Sequence, residues 1–352
     1  MASSLTALVP KHWKRRIRER LLPFRFRHIS GPQHVVLADD EAAVTCVLKN
    51  GEYYLNAFVE HYTRLGFRHI FLLDNGSTDA TVAMARKHDN VSVYQCDLPI
   101  EANQGAFKKC LAELVVPSGW CLDADIDEFF DYPFSTTMDL SQFLRYLNRR
   151  QFSAVIAQML DLFSDKPLSA LAEKASEEDL RAQYRYYDLS QVTKIDYRAS
   201  PLARTYASEN RLHGEHRLYF GGIRKALFGL DCLLTKHSLF RTGAGIDLFP
   251  HVHFVNKGSV ADVSCVLLHY KLVSNAVEVA SKNSSAFTSI RKGYEDLIRL
   301  VETKPTYRIK TDTAVALGGV EDLIENDFLY VSAEFRNYVR TAPSRSVGLP
   351  GT

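Results

Sequence analysis

Apolar positions between residues 43 and 134 fall in short blocks that alternate between two periods. Ala43–Leu48 is a mainly apolar run closed by Lys49-Asn50-Gly51-Glu52. Leu55, Phe58, Val59, Tyr62 and Leu65 then recur at helical spacing, and Gly66 supplies the stop. Ile70–Leu73 predicts a second buried strand, ending at Asp74-Asn75-Gly76-Ser77-Thr78-Asp79, where Ser77 or Thr78 would cap a helix carrying Val82 and Ala85. Val91–Cys96 predicts a third strand, and Phe107, Leu111, Leu114 and Val115 mark one face of the next helix. Strands alternating with helices predict an α/β fold with a mostly parallel sheet flanked by helices, whose ligands sit at strand carboxyl ends. The polar clusters Lys49–Glu52, Asp74–Asp79 and Asp123–Glu128 all fall at such ends.

The third cluster departs furthest from a buried strand. Trp120-Cys121-Leu122 gives way to Asp123, Asp125 and Asp127, then Glu128, Phe129 and Phe130. An unpaired buried charge is costly, so a strand this acidic suits one that ends at a site, or else an acid cluster that forms a turn or caps a helix after the strand. Alternation at a period of two sends Asp123, Asp125 and any strand-like Asp127 to one side. Their repulsion then calls for a cation, and hard oxygen ligands suit Mg²⁺ or Mn²⁺ better than zinc.

Beyond Tyr132, Leu140–Leu147 reads as a helix and Ala154–Leu160 as a strand ending at Asp161, while residues 165–215 are polar, Tyr-rich and loop-like. A second polar cluster runs from Gly221-Gly222-Ile223-Arg224-Lys225 through Asp247, His251 and His253. Cys265–Leu268 predicts a further buried strand, ending at His269-Tyr270-Lys271. Residues 275–340 read as mainly helical and 341–352 as disordered.

Composition narrows the class without naming it. A chain of 352 residues with 46% hydrophobic and 24% charged residues can bury a full core, as one large domain or two ordinary ones. A net charge of +2 gives no field for a polyanion. The six cysteines form no C-x-x-C pair and most lie in apolar runs, so neither a disulfide framework nor a zinc ribbon is expected, and a reducing compartment is. With no long apolar span and no signal-peptide core, the expected location is cytoplasmic. Lys11, Lys14, Arg15, Arg16, Arg18, Arg20, Arg25 and Arg27 are opposed only by Glu19, with Trp13, Ile17, Leu21 and Leu22 near one helical face. Residues 11–28 would thus seat peripherally on an anionic membrane surface, or else form an arm solvated or packed on its own domain. No nucleic-acid module follows, so no nucleic-acid partner is expected.

Taken as an ordered set, Leu48-Lys49-Asn50-Gly51-Glu52, Asp74-Asn75-Gly76-Ser77-Thr78-Asp79 and Asp125-Ile126-Asp127-Glu128-Phe129 resemble the glycosyltransferase family 2-like enzymes. The branch whose metal motif reads D-x-D-E-F is the nearest likeness. It covers residues 43–135 well and continues more loosely through Gly221–Gly229, His253 and Leu267–Lys271. The resemblance implies a Rossmann-like GT-A domain over residues 35–272, between a basic segment, 1–34, and a helical C-terminal extension, 273–340. It implies a metal-dependent transferase that moves a sugar, with inversion, from a nucleotide sugar to a glycan or lipid-linked acceptor. Asp125, Asp127 and His269 would hold Mn²⁺ or Mg²⁺, with Asp125 also orienting the ribose or a metal-bound water. Asp74 would accept a hydrogen bond from the donor base, which favours a UDP-sugar. Lys49, Asn50 and Gln104 would border the same cleft, and Arg224, Lys225 and Lys271 would meet the diphosphate.

Each assignment has a plainer reading. Asp74 and Asp79 suit a turn and the following helix. Asp123 is either an inward partner or a strand residue satisfied by a neighbour, and His269 also reads as a core or rim histidine. An inverting transferase needs a general base. The candidates are Asp161, Glu215, Asp247 and His253, with Asp247 preferred for its Gly- and His-rich segment. A sugar-nucleotide nucleotidyltransferase competes, but would want a longer, Gly-rich basic loop than Lys49–Glu52. A non-catalytic membrane-surface scaffold competes too, against an intact carboxylate set.

Overall fold

The computed structural model describes residues 21–100, 103–167, 170–171, 176–273, 295–296, 298–300 and 302–342. The basic segment as far as residue 20, residues 274–294 of the expected extension and the tail past 342 lie outside them.

The first half of the chain alternates strand and helix. It runs β1 (Arg27–Ser30), β2 (Ala42–Leu48), α1 (Glu52–Leu65), β3 (His69–Asp74), α2 (Thr81–Ala85), β4 (Val91–Gln95), α3 (Gln104–Val115) and β5 (Gly119–Asp123). Then come β6 (Glu128–Asp131), α4 (Leu140–Arg149) and β7 (Ala154–Asp161). The expected loop region holds short elements instead: α5 (Glu177–Gln183), β8 (Tyr186–Tyr187), β9 (Val192–Asp196), α6 (Pro201–Tyr206) and β10 (Arg211–Leu212). After β11 (Arg217–Gly221) and α7 (Ile223–Phe228) come β12 (Thr235–Thr242), β13 (Asp247–His251), β14 (Phe254–Asn256) and β15 (Ser259–His269). The described chain closes with β16 (Val315–Ala316), α8 (Val320–Glu325) and α9 (Ala333–Thr341).

One sheet organises the molecule, in the order β1-β4-β3-β2-β5-β12-β7-β15-β10, with β6 added against β15. β4, β3, β2 and β5 are parallel, as are β7 and β15, while β12 lies antiparallel between β5 and β7. β5 and β7 therefore point the same way. Leu48, Asp74, Asp123, Asp161 and His269 consequently end their strands on one rim, and the antiparallel β12 begins there with Thr235 and Lys236. This is the mixed α/β, mostly parallel architecture that the alternating pattern predicts.

Three local expectations change. The acidic stretch does not continue as a strand past Asp123: Glu128 N–H donates to Asp125 O at 2.9 Å, closing a turn, and β6 then pairs antiparallel with β15. Neither Ser77 nor Thr78 caps α2; Ala80 holds the N-cap position, and Asp79 Oδ1 accepts from Thr81 N at 3.0 Å. Beyond residue 302 the chain is less helical than expected, and α9 is no appendage. Its Phe335 is fully buried, with ring centroids 4.9 Å from Tyr146 and 5.7 Å from Phe143 on α4.

Helix α1 grips the acidic turn from behind. Tyr62 Oη donates to Glu128 O at 2.9 Å and accepts from Phe130 N at 3.0 Å. His61 Nε2 lies 2.7 Å from Phe130 O, and Nδ1 3.0 Å from Glu177 on α5. Tyr62→Phe leaves the buried Phe130 N–H unsatisfied, which costs about 1–3 kcal/mol. The expected result is a lower urea midpoint with an unchanged slope.

Candidate active site

The rim gathers five carboxylates, Asp123, Asp125, Asp127, Glu128 and Asp161, among five basic groups, Lys108, Lys236, Lys271, Arg224 and His269. They divide into two linked halves.

In the first half, α3 and β12 each send a buried lysine to the turn. Lys108 Nζ lies 2.6 Å from Asp123 Oδ2 and 2.9 Å from Asp125 Oδ1. Lys236 Nζ lies 2.8 Å from Asp125 Oδ2 and 2.5 Å from Glu128 Oε1. Glu128 Oε2 accepts from Asp125 N at 3.0 Å. Asp123 is therefore satisfied by a neighbour, although its Oδ1 has no partner among the described residues. Burial pushes its carboxyl up to about 6 despite Lys108. Burial acts the same way on Asp125, but the two ammonium groups together outweigh it and hold that carboxyl well below the usual range.

The second half centres on His269. Its Nδ1 lies 2.5 Å from Asp161 Oδ1, and since a carboxylate can only accept, Nδ1 carries the proton. Its Nε2 then faces Asp127 Oδ2 at 3.5 Å, with Lys271 Nζ 3.1 Å from the same oxygen. Arg224 Nε donates to Asp161 Oδ2 at 2.8 Å. Burial opposes ionisation of Asp161, but Arg224 and His269 win and bring it down to about 2. Burial likewise disfavours the imidazolium, yet Asp127 and Asp161 raise His269 above its ordinary value. Tyr270 N–H donates to Asp127 O at 2.9 Å and fixes the turn against β15.

Among the described residues, no three His, Cys, Asp or Glu side chains converge at metal-ligand separation. Two do stand in that relation. The 3.5 Å between Asp127 Oδ2 and His269 Nε2 is slightly more than the ~3 Å between neighbouring ligands of an octahedral ion with ~2.1 Å bonds. Asp161 behind the imidazole is the carboxylate that orients a ligating histidine. Asp127 and His269 thus fit Mg²⁺ or Mn²⁺, which binds through few protein groups and takes its remaining oxygens from phosphates and water. Asp125 does not fit in the same way, because an ammonium group already sits on each oxygen.

The loops after β2 and β3 interlock. Asn50, with φ 56°, accepts from Thr78 N at 2.8 Å, and its own N–H donates to Ser77 Oγ at 2.8 Å. Asp74 is buried, its Oδ1 accepting from Ser77 N at 3.1 Å and its Oδ2 from Gln95 Nε2 at 3.0 Å. Both residues build these loops, which for Asp74 is the plainer of its two readings. Lys49 is exposed on the same loop, and Gln104 lies one helical turn before Lys108 on α3. Lys225 turns to Asp231 at 3.0 Å.

The four base candidates separate. Asp161 is committed to His269 and Arg224. Asp247 lies on the flank of α3, 3.8 Å from Lys109, and Glu215 is exposed beside His216, which bonds Ala261 in the amino half of β15. His253 adjoins the rim without belonging to its ion pairs: Nδ1 is 3.2 Å from Thr235 O, and its carbonyl accepts from His237 N at 2.9 Å, bracketing Lys236. A carbonyl can only accept, so Nδ1 is protonated and Nε2 keeps its lone pair. Burial, reinforced by Lys236, keeps this ring neutral.

Lys108 and Lys236 were not among the sequence candidates. Lys108 carries a readable signal, since it falls in helical phase with Leu111 and Val115, where a charge has no reason to be unless paired. A cavity of about 600 Å³ lined by Asn148, Arg211, Arg241 and Lys257 lies at the opposite rim and contains none of these groups. Among the described residues no helix is long and apolar enough to cross a membrane. The chain matches no model of a known protein family, and no curated protein matches it.

Proposed function

We propose that the protein is a metal-dependent GT-A glycosyltransferase that moves a sugar from a nucleotide-sugar donor to a hydroxyl of a glycan or lipid-linked acceptor. The observation that carries this reading is the group Asp127, His269 and Lys271 at the carboxyl rim of a mostly parallel sheet, where such sheets bind ligands. Transfer breaks the bond between the anomeric carbon and the diphosphate oxygen and forms one to the acceptor oxygen. The sugar becomes oxocarbenium-like while negative charge grows on the diphosphate. A divalent ion held by Asp127 and His269 would supply a Lewis acid for that charge. Lys271, turned from Asp127 to the diphosphate when the donor binds, adds a neighbouring positive charge. Arg224 acts through Asp161, holding the carboxylate that fixes the His269 ring. His253, neutral with Nε2 unprotonated, takes the acceptor's proton; inversion follows from attack on the face opposite the diphosphate.

Thermal unfolding with a panel of UDP- and GDP-sugars, with and without Mn²⁺, tests the reading. Stabilisation that requires nucleotide sugar and metal together is expected, by about 3 kcal/mol at a hundredfold excess over Kd. No stabilisation by any donor would refute it.

A further inference from the structure

We infer that Lys108 and Lys236 are positioning residues that hold Asp125 away from the metal and present it as an acceptor for a donor hydroxyl. The inference rests on the transferase reading above and divides the labour of its two aspartates. Asp125 is clamped: Lys108 occupies Oδ1 at 2.9 Å and Lys236 occupies Oδ2 at 2.8 Å. The clamp is rigid because its cations cannot leave. The Lys108 side chain is 1% exposed and the Lys236 side chain 5%, and each ammonium is also tied to a second buried carboxylate, Asp123 or Glu128. The Asp125 side chain is nonetheless 32% exposed, so the clamped carboxylate is still open to solvent at the rim.

A divalent ion approaching Asp125 would meet two positive charges within 3 Å of its oxygens, and the repulsion cancels the attraction that makes a carboxylate a metal ligand. A neutral hydroxyl meets no such penalty. Each carboxylate oxygen has more than one lone pair, so one remains for a hydrogen bond from a sugar or ribose hydroxyl. Asp127 differs on both counts. Its cationic partners are the 25% exposed Lys271, which can swing to a phosphate, and His269, which can exchange its proton for a metal.

Binding of Mn²⁺ in the absence of donor, read from the electron paramagnetic resonance signal of the free ion, separates the roles. Asp125→Asn is expected to keep the Mn²⁺ Kd within about threefold, while Asp127→Asn weakens it more than about tenfold. With a donor that turns over, Asp125→Asn should raise donor KM with little change in kcat, the mark of lost uniform binding. The double variant Lys236→Met/Glu128→Gln removes one ammonium and one carboxylate together, so net charge is unchanged, and glutamine still accepts from Asp125 N. Freed on one oxygen, Asp125 should then join the ion and tighten Mn²⁺ binding about tenfold in a protein that still unfolds cooperatively. Equal loss of Mn²⁺ in Asp125→Asn and Asp127→Asn, or a folded double variant with wild-type Kd, overturns the inference and leaves the transferase reading standing. Wild-type protein that binds no Mn²⁺ either alone or with a nucleotide sugar overturns both.

Discussion

Asp127→Ala is expected to lower kcat/KM for sugar transfer by about a thousandfold or more and to abolish metal-dependent stabilisation by the donor. The size follows from its place: it is the one carboxylate of the cluster that can face both an ion and a phosphate. A single preorganised group serving developing charge contributes about two to three orders of magnitude, and loss of the ion adds to that. The fold should survive. Lys271 is partly solvated and pays little when its partner goes, and His269 keeps Asp161 at 2.5 Å. The Lys108–Asp125–Lys236 clamp makes no use of Asp127. The checks are initial rates of nucleotide release at saturating Mn²⁺, alongside thermal unfolding with and without donor. A variant that kept its metal-dependent stabilisation, or more than about a tenth of its activity, would remove Asp127 from the role given to it here.

The elements from β2 to β5 were legible because parallel strands covered on both faces read as continuous apolar runs, and α1 carries a clear apolar stripe ended by Gly66 at φ 103°. β12 was not legible, and physics explains why. Thr235, Lys236, His237 and Ser238 are all buried, yet none is apolar; the first three are satisfied by side chains at the rim, while Ser238 Oγ has no partner among the described residues. A strand buried through polar pairing has no hydrophobic period to find. The acidic triplet was legible as a site, but its inner wiring was not. The cation on Asp125 Oδ2 comes from a residue 111 positions away, a separation no local pattern encodes. Nor does residue type decide between roles. Asp74 was read both as a donor contact and as a turn builder, and only the positions of Ser77 and Gln95 show the turn that it builds.

Acid should destabilise this protein well above the pH at which carboxylates protonate, because buried histidines are held neutral. His69, His216 and His237 are each pushed down to about 4, in every case first by burial. Their unfolded counterparts titrate near 6.5. Between these limits the unfolded chain binds up to three protons that the folded chain refuses, so stability falls as pH falls. Asp123 works in the opposite sense: raised to about 6, it takes one proton in the folded state that the unfolded chain takes only near 3.8. For these four groups the difference, three minus one, leaves two, a slope of about 2.7 kcal/mol per pH unit between roughly pH 6 and pH 4.5, and the neutral His253 steepens it. A loss of about 4 kcal/mol over that span is a large share of a typical total of 5–15 kcal/mol. Asp161, lowered to about 2, extends the loss as pH falls below 3.8. On the alkaline side His269 limits the gain. Its folded pKa is raised, so its contribution is full below about 6.5 and is lost as pH rises through the folded value. Stability should therefore peak near pH 6.5–7. Urea midpoints at pH 7, 6, 5 and 4.5 measure the slope directly, and a midpoint that stays level from pH 7 to pH 5 would mean that these imidazoles already carry protons in the folded state. His69 offers the cleanest dissection, since among the described residues its ring bonds only the Ser92 hydroxyl, at 2.8 Å, and it lies outside the rim cluster: His69→Gln should remove about one proton, or about 1.4 kcal/mol per unit, from the acid slope without touching donor binding.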